Sequence, residues 1–210
     1  MNEVKQDEGF IMDLWEKIFF LLSKISVFEV IRIFVWNRVK NKFRFVEIWV
    51  VTNLGLSITL SLLIYNLDNN VINWIAFIYA ILRVFEIIIY QINVIIFDPY
   101  RCEKKGVTYK VKSIPRILVL LIHNYVEIIF WYSVMVISII RINNFEIIYS
   151  WLYFVKASFL CIATFNGDLI VNNGKFLNNI VFVETFSGIV LTIVSIARFV
   201  GILPAVEEMK

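Results

Sequence analysis

Apolar residues run along this chain in long blocks, and polar residues are confined to short breaks between them. Four blocks have the length of a bilayer-crossing helix: Ile48 to Tyr65, Trp74 to Phe97, Ile117 to Ile140 and Ile180 to Val200. Crossing about 30 Å of hydrocarbon takes roughly 20 apolar residues at a 1.5 Å rise each. Asp98-Pro99 is expected to end the second span, because proline cannot continue the helical hydrogen-bond ladder. A fifth block, Ile147 to Ala163, is too short for a confident crossing, and Thr164-Phe165-Asn166-Gly167-Asp168 interrupts it. A polar turn, Asn172-Asn173-Gly174-Lys175, follows. Upstream, Asp13 to Trp36 threads Asp13, Glu16, Lys17, Lys24, Glu29 and Arg32 among apolar residues. That pattern predicts an amphipathic helix lying in the membrane interface.

Composition sharpens this picture. Of 210 residues, 60% are hydrophobic, and the mean hydropathy is +0.79. A soluble domain carries about 45–50% apolar residues, so the excess calls for lipid. The formal charge of +3 does not point to nucleic acid, because the basic residues gather in particular loops. Arg38, Lys40, Lys42 and Arg44 precede the first span. Arg101, Lys104, Lys105, Lys110, Lys112 and Arg116 lie between the second and third. The loop Asn66 to Asn70 has no Lys or Arg. The positive-inside rule then puts both termini in the cytoplasm of a multi-pass cell-membrane protein. It also leaves Ile147 to Leu177 on the external side, dipping into the bilayer and returning. Such a dip is tolerated only where the backbone is buried in protein or lines water.

The order of helix, short helix, Gly-Asp, polar turn and glycine-containing helix resembles the two-transmembrane pore module of the potassium channel superfamily. The resemblance covers about residues 117–204. That module places Thr-Val-Gly-Tyr-Gly-Asp after its pore helix, and the matching stretch here is Ala163-Thr164-Phe165-Asn166-Gly167-Asp168. Gly167 and Asp168 match, while Phe165 replaces the first glycine and Asn166 the tyrosine. A one-residue shift instead aligns Thr164 with the family threonine. Glu184, four residues before Gly188, resembles the start of the family's inner helix and its hinge glycine. The resemblance implies a homotetramer with four filter loops around an axis, lined by the third and fourth spans.

A potassium filter replaces ion hydration with rings of backbone carbonyls, and its glycines permit the positive φ this requires. Phe165 should resist that conformation, while Asn166 tolerates it better. A wider or less selective cation filter is therefore expected, with Asp168 as an acidic ring at the outer mouth. The alternative for Asn166-Gly167-Asp168 is a plain turn between two helices. Gly188 serves either as a hinge or for close packing.

Ionisable and amide groups also fall inside the spans. Arg83 and Glu86 are three residues apart, and His123, Asn124 and Glu127 share the third span. Charges in lipid are costly and face a partner, a cavity or water. The group is read either as a proton-sensing or helix-coupling network, or as an ion pair of Arg83 with Glu127 or Glu86 that fixes packing. His123 and Glu127 alone make too few ligands for a metal. Cys102 and Cys161 have no metal or redox spacing.

These readings give an all-α protein in four parts. Residues 1–45 form a cytoplasmic N-terminus with the interfacial helix, and 46–100 the first two spans. Residues 101–116 form a basic loop, and 117–204 a pore-like module with one re-entrant helix. The expected function is a cation channel for K+ or another cation, with no enzyme activity, no cofactor and lipid as its surroundings. The alternative is a non-conducting anchor or sensor subunit that holds a cytosolic protein at the basic loop, as in bacterial stress or defence systems.

Overall fold

The structure, a computed structural model, describes residues 9–109, 113–168 and 175–202. It is all-helical over those residues. Lys110, Lys112, the turn residues Asn172 to Gly174, and Pro204 lie outside them. The helices are α1 (Phe10–Ser23), α2 (Val27–Val35), α3 (Lys42–Asn66), α4 (Asn70–Ile92), α5 (Asp98–Lys104), α6 (Ile114–Ile142), α7 (Trp151–Thr164) and α8 (Lys175–Ile202). Four helical stretches are long and apolar enough to cross a membrane: Arg44–Asn66, Asn70–Lys104, Pro115–Ile142 and Lys175–Val200.

Two expected boundaries are corrected. The second apolar helix does not end at Asp98-Pro99. A π-helical turn, Asn93–Phe97, joins α4 to α5, and Pro99 falls in the first turn of α5. Proline is tolerated in a first turn, where its missing N–H is not needed, and the wider π turn absorbs the ladder bond it removes. The segment Asp13 to Trp36 is two helices rather than one. It breaks at Lys24-Ile25-Ser26, where the Ser26 hydroxyl accepts from Glu29 N at 3.3 Å and caps α2.

Cap residues explain the other starts. Asn41 accepts from Arg44 N at the head of α3, and Asn69 accepts from Val71 N and Ile72 N at the head of α4. α6 is the most buried of the four long helices and packs against α3, α4, α7 and α8. Its Ile128, Trp131, Tyr132, Val134, Val136 and Ile137 are almost wholly buried. α8, by contrast, leaves Phe182, Phe186, Ile193 and Ile196 exposed.

α1 and α2 follow α5, the π turn and α4 in antiparallel register. Lys104 Nζ meets Asp13 at 2.6 Å, and Arg101 Nε meets Glu16 at 2.7 Å. The Phe19 ring stacks on Phe97 at 5.0 Å, and Asn93 donates to the Phe19 carbonyl at 3.2 Å. Further along, Phe28 N donates to Glu86 at 3.1 Å.

Candidate functional site

Two polar constellations interrupt the apolar interior. The first is built on Arg83 of α4, which is 3% exposed. Its Nε and one terminal nitrogen reach the two oxygens of Glu127 on α6, at 2.7 and 3.2 Å. Its other terminal nitrogen donates to Glu86, one turn along α4. A guanidinium presents donors in a planar fork, so a bidentate bond fixes α4 against α6 in register. Glu127 also accepts from the Trp131 indole at 2.9 Å. Glu86 further accepts from the Trp49 indole at 3.5 Å and from Phe28 N in the first turn of α2. One cation thus faces two carboxylates. The surplus negative charge is met by two indole N–H groups and the positive end of α2.

Both sequence-level pairings of Arg83 are therefore present together. Asn124 is buried nearby and borders a half-open cavity of about 320 Å3 lined by residues of α1 to α6 and of the π turn. Its Oδ1 has no hydrogen-bond partner among the described residues. His123 is half-buried, and its Nε2 is likewise unpartnered, so it does not join the Arg83 cluster. Among the described residues, no three His, Cys, Asp or Glu side chains gather as a metal site. The links from α2 and Trp49 to Glu86 were not legible in the sequence, because they join segments 58 and 37 residues apart.

The second constellation is α7, the residues that follow it, and α8. α7 has 14 residues. It begins where α3 and α4 are joined, since the Trp151 indole donates to Ser61 at 3.1 Å and Tyr65 donates to the Tyr149 carbonyl at 3.3 Å. It ends against the middle of α8. A Cβ on Gly188 would stand 2.7 Å from the Ile162 carbonyl oxygen, so the glycine permits backbone contact between α7 and α8. α8 is helical through this point. The Ile162 carbonyl also accepts from Tyr125 at 3.3 Å.

Beyond Ile162 the chain turns outward. Ala163, Thr164, Phe165, Asn166 and Asp168 are exposed, and Gly167 is half-buried. Phe165 closes α7 with φ 58°, in the left-handed region. The expectation that Phe165 would resist positive φ is overturned. A helix C-terminus often ends in that conformation. Gly167 is used differently from the expectation too. Its φ is not positive, and a Cβ there would meet Val181 Cγ1 at 2.0 Å, so it lets the loop lie on α8. Asn166 Oδ1 accepts from Asp168 N at 2.9 Å, a local turn of the Asx kind. Thr164 donates back to the Leu160 carbonyl at 2.6 Å.

Glu184 does not mark the start of the last helix. It lies nine residues into α8 and is fully buried against α7. As an intramembrane carboxylate it carried a signal in the sequence, which the family-like spacing to Gly188 obscured.

Fold and site together define an all-helical protein with four helices long and apolar enough to cross a bilayer and one short helix packed between two of them. Comparison with protein-family models, curated proteins and solved structures finds no match to this chain.

Proposed function

We propose that this protein is a cation channel in which α7 dips from the external face to mid-bilayer and several copies share the loop 163–168 around one pore. One observation carries the reading. A polar, non-helical stretch follows directly after Ile162, which meets the middle of α8, and is exposed on the single chain while Gly167 lies against Val181, about a quarter of the way along that bilayer-length helix. Irregular backbone at that depth does not face lipid, because each unmet N–H or C=O there costs several kcal/mol, on the order of a lost hydrogen bond in hydrocarbon. It must face water or other copies of the chain.

The depth follows from contacts at both ends. Trp151 and Tyr149 sit at the α3–α4 end, and Ile162 sits at Gly188, the fourteenth of 28 residues in α8. The basic residues before α3 and between α5 and α6 put that end outside and both termini in the cytoplasm. Permeant cations such as K+ would meet Asp168 at the outer mouth, with carbonyls and amides of Thr164 to Gly167 beneath it. The homotetramer comes from the resemblance to the potassium channel pore module.

The test is ion flux from purified protein in liposomes. Cation flux above the protein-free level is expected, and Asp168→Asn should lower the preference for cations over anions. An assembled protein that passes no ion would end the proposal and favour the membrane-anchor reading, with a cytosolic partner at the basic loop.

A further inference from the structure

The junction of α6, α7 and α8 buries an acidic group for which the conduction pathway has no use. Glu184 is 0% exposed, and among the described residues no group meets hydrogen-bond geometry with either carboxylate oxygen. Beside it on α7 stand the Ser158 hydroxyl and the Cys161 thiol. Ser158 is also 0% exposed, and its Oγ is likewise unpartnered. The other polar groups at the junction have further partners of their own, although the Cys161 thiol also faces Glu184. Cys161 Sγ lies 3.2 Å from the Thr185 hydroxyl. Tyr132 on α6 pairs with Ser187 at 2.7 Å and donates to the Val183 carbonyl at 3.3 Å.

Among the described residues no cation serves this carboxyl. The titratable groups that face it are Tyr132 from α6 and Cys161 from α7, both neutral at physiological pH in their ordinary form. α4 presents Phe77 to α8, against Phe176. Arg83 is already held by Glu86 and Glu127, and Lys156 of α7 is exposed. A bare carboxylate in such surroundings is far more costly than a neutral acid. A metal ion would require several oxygens, and Ser158 supplies the single uncommitted hydroxyl beside it.

We infer that Glu184 is an intramembrane proton-binding site, whose carboxyl group carries an exchangeable proton directed at Ser158. The proton keeps the α7–α8 contact dry directly behind the loop 163–168. Its loss places a lone negative charge between the two helices and draws water or a counter-ion between them. The assignment stands whether or not the assembly conducts.

Infrared spectroscopy of the full-length protein in liposomes tests it. At neutral pH the spectrum should contain the carbonyl stretch of a protonated carboxylic acid, and Glu184→Gln should lose that band while eluting as the same assembly. A second measurement uses dicyclohexylcarbodiimide, an apolar reagent that reacts with protonated acids. The acid O–H adds across one C=N bond with no leaving group, and the product rearranges to a stable N-acylurea. One adduct on the Glu184 peptide is expected, falling away as the pH is raised. Glu86 and Glu127, ion-paired with Arg83, should remain unmodified. Absence of the acid band in folded wild-type protein overturns the inference. So does an adduct suppressed by Na+ or K+ at constant pH, which would make Glu184 a metal-cation site instead.

Discussion

At the scale of single residues, the decisive feature is one guanidinium shared by two buried carboxylates. Removing Arg83 strands both Glu86 and Glu127 in an apolar interior. Breaking a buried pair by deleting one partner typically destabilises by about 3–5 kcal/mol. Arg83→Met is expected to lower unfolding stability in detergent by an amount of that order. Glu127→Gln in the same background should restore part of the loss, because it removes one of the stranded charges. A double mutant no more stable than Arg83→Met alone would contradict the pairing at 2.7 Å. The pairing was legible in the sequence, since an arginine and two glutamates inside apolar blocks demand partners. The left-handed Phe165 was not. Side-chain bulk argues against positive φ there, but the end of α7 decides the backbone first. Glu184 is hidden by a different cause: its spacing to Gly188 fits the family-like pattern and masks the meaning of its charge.

At the scale of elements, the N-terminal helices are tied to α4 and α5 by a ladder of contacts in register, from Asp13–Lys104 through Arg101–Glu16 to Phe28–Glu86. Sequence periodicity identified helical, amphipathic character here, but it could not say that the apolar face has a protein partner. Nor could it find the π turn, because propensity does not separate π from α winding. The ladder has a pH signature at its outer end. Bonds from Lys104 and then Tyr100 hold the Asp13 carboxyl below its ordinary value. A carboxyl lowered by folding contributes docking free energy that is present above its unfolded pKa of about 3.9 and is lost as the pH falls through the lower folded value. The hold of α1 on α5 should therefore loosen modestly in acid below about pH 4, read as faster amide exchange across Phe10–Ser23 with α6 still protected. Asp13→Asn should show the weakened α1 protection already at neutral pH. Equal protection of α1 in both proteins across that range would remove the role given to the Asp13 bonds.

At the scale of the whole molecule, exposure means two different things in a bilayer. An apolar side chain exposed on a single chain is satisfied by lipid, and a polar backbone is not. Val51 on α3 is 60% exposed and belongs to an apolar helix face, so lipid serves it. Asn166 is also exposed, but it sits in a polar turn beside the buried end of α7. If copies of the chain surround a pore at this loop, a cysteine at 166 lies near its counterpart in the next copy, whereas a cysteine at 51 does not. In protein with Cys102 and Cys161 replaced by serine and alanine, mild oxidation in liposomes should link Asn166→Cys chains into covalent dimers and leave Val51→Cys chains single. Linking at 51 but not at 166 would mean that the copies meet through α3, with the loop turned away from the shared axis. The polar stretch would then need water brought to it by a single chain, and beyond Asn178 and Asn179 near its start α8 offers only apolar outward side chains, such as Phe182, Phe186, Ile193 and Ile196.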